Sequence, residues 1–281
     1  MKHSSYTVIR DGELPITADF HAPSKGLNAA AVLLFLHGFK GFKDWGYFPL
    51  VAEFLTRAGF AVVRFNFSHN GTTPEHPADF ADLEAFGRNT FSRELNEVSI
   101  MIDDLWMRGE LTDGIDLEKI GIVGHSRGGG IALCAAHADP RIKAVATWAG
   151  VSNFEPRVNP RDLEQWYRHG VVYSPNTRTG QQMPLYYSLR EDFYRNKNKL
   201  DIPSLVKSLR VPQLIVHGSA DESVGLQEAL DLKEWNPEAK LEIVEGANHT
   251  FGGKHPWDSK ELPADAAHVL QRSISFFREN L

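Results

Sequence analysis

Apolar, β-rich runs recur at residues 31–36, 60–65, 119–123, 142–148, 211–216 and 240–244. The strongest of them, such as "AAAVLLFL" leading to His37, show no polar alternation, which predicts strands buried on both faces. Between the runs lie stretches with helical spacing, among them "YFPLVAEFLTRAGF", "NTFSRELNEVSIMIDDLWMRG", "SRGGGIALCAAHAD" and "VGLQEALDLKEW". Buried strands alternating with crossover helices predict an α/β fold with a mainly parallel central sheet and helices on both faces. The early "YTVIRDGELPITADFHAPS" reads differently, as two short strands joined by turn residues and paired antiparallel at the sheet edge.

Residues 151–209 break this rhythm, being polar, turn-rich and dense in tyrosine. A connection that long needs structure or a role of its own. It is expected to be a small helical cap, inserted between core segments 1–150 and 210–281 within one overall domain. The 66–90 stretch is a second long connection.

The segment "KIGIVGHSRGGGIALCAAHAD" holds the main chemical signal. "GHSRG" at 124–128 puts Ser126 between an apolar strand and a helix of small residues. In such an elbow the serine sits on a tight, strained turn, its neighbours must be small, and its hydroxyl projects above the sheet. Gly129 and Gly130 each cost about 1 kcal/mol against alanine inside a helix, so close packing of helix on strand is expected to offset them.

A neutral serine is a weak nucleophile and needs a base held by a carboxylate. Asp221 in "LIVHGSADESV" and His249 in "LEIVEGANHTF" each follow a strand-like run and are the expected acid and base. Glu222 lies beside Asp221, but the spacing after the strand favours Asp221. His125 is expected to shape the elbow, and His255 to belong to a connection toward the last helix. The backbone N–H groups of Phe39, in "LFLHGFKG", and of Arg127, directly after the serine, are the expected oxyanion donors.

Composition narrows the picture. Thirty Lys plus Arg against 36 Asp plus Glu give a formal charge of −6, which provides no general attraction to nucleic acid. One cysteine, Cys134, forms no internal disulfide and fits a reducing compartment. The first twenty residues lack a secretory pattern, and no apolar run approaches the ~20 residues of a membrane span. A cytoplasmic protein without membrane or nucleic-acid partners is expected; self-association is left open. "FGGKHPWD" lacks a persuasive ligand set, so neither metal nor cofactor is expected.

Taken with their order, "LHGF" (36–39), "GHSRG" (124–128), "HGSADESV" (217–224) and "GANHTF" (246–251) make nearly the whole chain resemble the α/β-hydrolase superfamily. The likeness is to compact carboxylesterases of the cinnamoyl or feruloyl esterase type, and to dienelactone-hydrolase-like and serine-aminopeptidase-like branches. Phe39, Gly41 and Lys43 match the "HGF.G.K" loop of those esterases, whereas Asn66 stands where they commonly carry aspartate. The resemblance implies an α/β-hydrolase fold and hydrolysis of small or aromatic carboxylic esters through an acyl-enzyme. It also implies cap contacts to a small-molecule ester, for which Trp166, Tyr173, Tyr186 and Tyr187 are candidates. A peptidase, amidase or thioesterase would use the same three residues, and a noncatalytic binding protein of this fold is the alternative from another class.

Overall fold

The computed structural model describes residues 1–24, 29–155 and 160–281, with no side-chain detail at Pro160. Residues 156–159 of the expected cap lie outside the described residues. The chain opens with β1 (Lys2–Val8), β2 (Ile16–Ala22), β3 (Ala30–Leu36), α1 (Phe48–Arg57) and β4 (Ala61–Phe65). Then come α2 (Leu83–Gly87), α3 (Phe91–Met107), β5 (Ile115–His125), α4 (Arg127–Ala138) and β6 (Ile142–Trp148). The cap follows as α5 (Pro160–His169), β7 (Val171–Pro175), β8 (Gln182–Tyr186), α6 (Ser188–Arg195), α7 (Lys197–Leu200) and α8 (Ile202–Lys207). The core resumes with β9 (Gln213–Gly218), α9 (Gln227–Trp235), β10 (Lys240–Val244) and α10 (Ala264–Asn280).

The described residues form one eight-stranded sheet in the order β1-β2-β4-β3-β5-β6-β9-β10. β1 pairs antiparallel with β2, and β2 with β4; the other pairs are parallel. All six apolar runs therefore became strands, with the antiparallel pair at one edge. The two-residue period of a strand divides the core into two layers. Val32, Leu34 and Leu36 face a layer closed by α3, α4, α8 and α9, while Ala31, Leu33 and Phe35 face α1 and α10.

Helix spacing fits these layers. Phe48, Val51, Ala52 and Leu55 give α1 one buried stripe behind a proline in its first turn, where no backbone donor is lost. Thr90 caps α3 by accepting from the Arg93 N–H. The cap is not purely helical: β7 and β8 form an antiparallel hairpin, with Val171 opposite Tyr186. Its Met183 joins Phe42, Phe80 and Phe86 in a small aromatic cluster. Two further ties bind the hairpin to the core, since Lys40 Nζ donates to the Pro175 carbonyl (2.7 Å) and the Tyr186 hydroxyl bonds Glu84. Among the described residues no helix is long and apolar enough to cross a membrane.

Candidate active site

β5 ends at His125 and α4 begins at Arg127, leaving Ser126 alone at the junction with φ 57° and ψ −122°. A positive φ is rare for a residue bearing a Cβ, and local bonds hold it: Ser126 N donates to the Trp148 carbonyl at 2.9 Å, and Gly129 N donates back to the Ser126 carbonyl at 2.9 Å. The turn closes only because its neighbours lack side chains. A Cβ on Gly124 would lie 2.1 Å from the Gly128 carbonyl oxygen. One on Gly38 would lie 2.8 Å from Ser126 Cβ and 3.3 Å from Oγ, so the β3 loop reaches over the serine itself.

The expectation for Gly130 needs correcting. Its open side faces Phe154 and Val151, in the connection after β6, and not a strand. Gly129 instead approaches Gly150 and the Gly124 carbonyl at the sheet end.

Asp221 and His249 come together. His249 Nδ1 lies 2.8 Å from Asp221 Oδ2, while Asp221 Oδ1 accepts from the Ser223 and Val224 N–H groups, both at 2.8 Å. Because an ionised carboxylate only accepts, Nδ1 carries the proton and Nε2 is left as an acceptor. Burial works to raise the Asp221 pKa. Hydrogen bonds from His217, His249 and Val224, with the charge of His249, outweigh it and hold the carboxyl well below the usual carboxylate range.

Ser126 and His249 line one cleft of about 400 Å³, whose walls include Phe39, Phe91, Val151 and Phe154. As the first residue of α4, Arg127 has an N–H with no carbonyl four residues back in its helix. Phe39 follows Gly38 directly. The loop they share is fixed by His37, whose Nδ1 bonds the Gly38 carbonyl (3.0 Å) and whose Nε2 accepts from Phe67 N (3.4 Å). Burial lowers the His37 pKa to about 4, keeping the ring neutral and able to serve both roles.

His125 behaves as expected of an elbow neighbour. Its Nε2 bonds the His249 carbonyl at 2.9 Å, and burial beside His249 lowers its pKa to about 3. His255 is engaged elsewhere, accepting from Gly46 N at 2.9 Å. Asn66 also fits its place: its oxygen accepts from Lys43 N (2.6 Å), and its amide donates to Thr72 Oγ1 (3.0 Å) and the Pro77 carbonyl (3.1 Å). An aspartate has no donor for those last two acceptors.

The four aromatic candidates of the cap do not converge on this cleft. Trp166 is buried inside the cap, donating to the Leu185 carbonyl at 2.8 Å. Tyr187 packs on Trp166 and Tyr167, Tyr173 is 61% exposed, and Tyr186 covers Gly87. Among the described residues the cleft's aromatic walls are Phe39, Phe91 and Phe154 instead, the last two stacked at 4.4 Å. Phe91 belongs to α3 and Phe154 follows β6, so the strand after which each sits gave no signal of their meeting.

Two further residues escaped the sequence reading. His217 Nε2 lies 2.8 Å from the Val224 carbonyl and 3.4 Å from Asp221 Oδ2, steadying the acid loop from beneath. Its place four residues before Asp221 in "HGSAD" was the available signal. Glu94, buried on α3, faces the Arg127 guanidinium at 3.6 Å, and its helix-face spacing is indistinguishable from that of core positions. Among the described residues no group of three or more His, Cys, Asp or Glu could hold a metal ion.

The chain belongs to the alpha/beta hydrolase fold family, whose model matches residues 31–181. That membership supports a hydrolytic enzyme of this superfamily. No curated protein matches the sequence. Solved structures share the fold along the whole chain. Est1E from Butyrivibrio proteoclasticus with ferulic acid bound is 18% identical with a TM-score of 0.72, covering 98% of both chains. A dienelactone hydrolase from Anabaena variabilis is 21% identical with a TM-score of 0.65, covering 100% of both. The esterase domain of a Rhodothermus marinus protein is 20% identical with a TM-score of 0.66, covering 100% of this chain and 99% of its own.

Proposed function

We propose that this chain is a serine carboxylesterase that hydrolyses small or aromatic carboxylic esters through an acyl-enzyme on Ser126. The observation carrying the reading is a strained serine, φ 57°, that shares a cleft with an imidazole whose Nδ1 is held 2.8 Å from a buried carboxylate. His249 Nε2 takes the Ser126 proton as Oγ attacks the ester carbonyl. Asp221 holds the ring in the tautomer that can do so and stabilises the imidazolium that forms. The Phe39 and Arg127 N–H groups stabilise the oxyanion, a role worth about 3–4 kcal/mol per donor. Collapse passes the proton from His249 to the departing alcohol. Water, deprotonated by the same nitrogen, then frees the acid and restores Ser126.

A cleft of about 400 Å³ with three phenylalanine walls suits a short or aromatic acyl group. The ferulic acid bound by Est1E supports an aromatic ester as substrate, and the buried, unpaired Cys134 fits work in the cytoplasm. The test is time-resolved hydrolysis of 4-nitrophenyl acetate and butyrate by wild type and Ser126→Ala, with intact-mass detection of the adduct and matched thioester and amide substrates alongside. Ester turnover lost in a folded variant, with acylation confined to Ser126, is the expected result. Comparable rates in the two proteins overturn the nucleophile, and faster amide or thioester cleavage overturns the substrate class.

A further inference from the structure

The elbow residue after the serine is an arginine whose backbone N–H alone would serve the oxyanion. Its side chain is a wall of the same cleft, only 15% exposed, with the guanidinium carbon 4.3 Å from the Phe39 ring centre and 5.1 Å from that of Phe91. A guanidinium carries five N–H donors and stays charged in proteins. Its ion-pair partner is Glu94, whose Oε1 stands 3.6 Å from Nη1 and also accepts from Asn89 at 2.6 Å. Burial raises the Glu94 pKa, and the Arg127 charge works against that rise. Taking a guanidinium out of water is costly without good partners, and an apolar side chain would fill the gap between two phenylalanines more cheaply.

A second cation lies beside the cleft. Lys40 sits over Phe39 with Nζ 5.1 Å from the ring centre, and burial followed by the Arg127 charge lowers its pKa. The positive end of α4 opens at Arg127. No carboxylate is among the described residues lining the cleft, Asp221 standing behind His249. An anion in this cleft would complete the fork of Arg127 on the edge that Glu94 leaves free.

We propose that Arg127 is a specificity-determining residue and that the substrates are esters bearing a carboxylate, held by its guanidinium while Ser126 meets the ester carbonyl. This rests on the esterase reading above.

Two isosteric ester pairs test it. 4-Nitrophenyl hemiglutarate against 4-nitrophenyl 5-methylhexanoate places the charge on the acyl side; 4-butyryloxybenzoate against 4-isopropylphenyl butyrate places it on the alcohol side. For wild type, the ratio of kcat/KM for anionic over neutral ester should be at least ~10 in one pair. In Arg127→Met and Arg127→Gln that ratio should collapse toward one, with the loss carried by the KM of the anionic ester, and Arg127→Lys should restore part of it. A wild-type ratio at or below one in both pairs overturns the proposal while leaving an esterase. A ratio unchanged in the folded variants does the same and returns Arg127 to packing. Wild-type inactivity on all four esters, with no serine adduct, sinks the esterase reading and this proposal with it.

Discussion

Asp221→Asn separates a carboxylate that organises a catalytic histidine from one that merely fills a loop. The two side chains have the same shape, so the outcome turns on where the new NH₂ goes. Oδ1 accepts two backbone N–H groups, from Ser223 and Val224, each at 2.8 Å. Turning the NH₂ toward them would leave both donors facing a donor in a buried loop, at about 1–3 kcal/mol each. The amide oxygen therefore stays at Oδ1, and the NH₂ takes the place of Oδ2, 2.8 Å from His249 Nδ1. A donor there forces Nδ1 to accept, which moves the ring proton to Nε2 and points an N–H at the serine. The imidazole can then no longer act as base. The same NH₂ meets the proton on His217 Nε2 at 3.4 Å, which adds repulsion and offers no relief.

Loss of the correct tautomer costs about 10⁴ in kcat, roughly 5 kcal/mol of barrier, with binding left largely intact. Steady-state hydrolysis of 4-nitrophenyl butyrate reads the rate, and nitrogen-15 NMR of His249 reads which ring nitrogen is protonated. A folded variant retaining more than a tenth of wild-type kcat would falsify the assignment of Asp221 as the orienting acid. Stability gives an independent check. A carboxyl held below its ordinary pKa of about 3.9 stabilises the fold fully above that value, and the gain is lost as pH falls toward its depressed folded value. The asparagine variant should thus be less stable than wild type at pH 7, with the gap closing below pH 4 in urea melts.

Three other substitutions probe the surroundings. Gly38→Ala puts a methyl 2.8 Å from Ser126 Cβ and 3.0 Å from the His125 carbonyl oxygen. Displacing the loop should lower kcat by about 10²–10³, the cost of an oxyanion donor, with a stability loss of about 1–3 kcal/mol in denaturant melts. Asn66→Asp removes both donors to Thr72 and Pro77 and sets an anion against a carbonyl; it should destabilise by at least ~2 kcal/mol in the same assay. Trp166→Phe deletes the bond to the Leu185 carbonyl and should cost about 1 kcal/mol of stability while leaving the KM for short esters unchanged, since the ring packs inside the cap.

The parts of this molecule that were legible in the sequence are those set by local rules. Burial on both faces demands continuous apolar strands, and a strained strand-to-helix turn demands small neighbours, so β3 through β6, β9 and β10 and the place of Ser126 could be read from residue type and spacing alone. Contacts between distant segments obey no such rule. Phe91 and Phe154 are 63 residues apart and meet only because α3 and the connection after β6 converge above the sheet. Trp166 and Tyr187 looked like ligand contacts for the opposite reason: an aromatic-rich insertion must first build a core of its own, and those rings were used for it. Arg127 shows the same limit from the other side. Its position in the elbow identified its N–H, which depends on backbone alone. The surroundings of its guanidinium depended on Phe39, Phe91 and Glu94, which arrive from two other elements. In this fold, then, the candidate serine, acid and base belong to motifs at strand ends, and the walls of the cleft they share belong to helices and loops that fold over them.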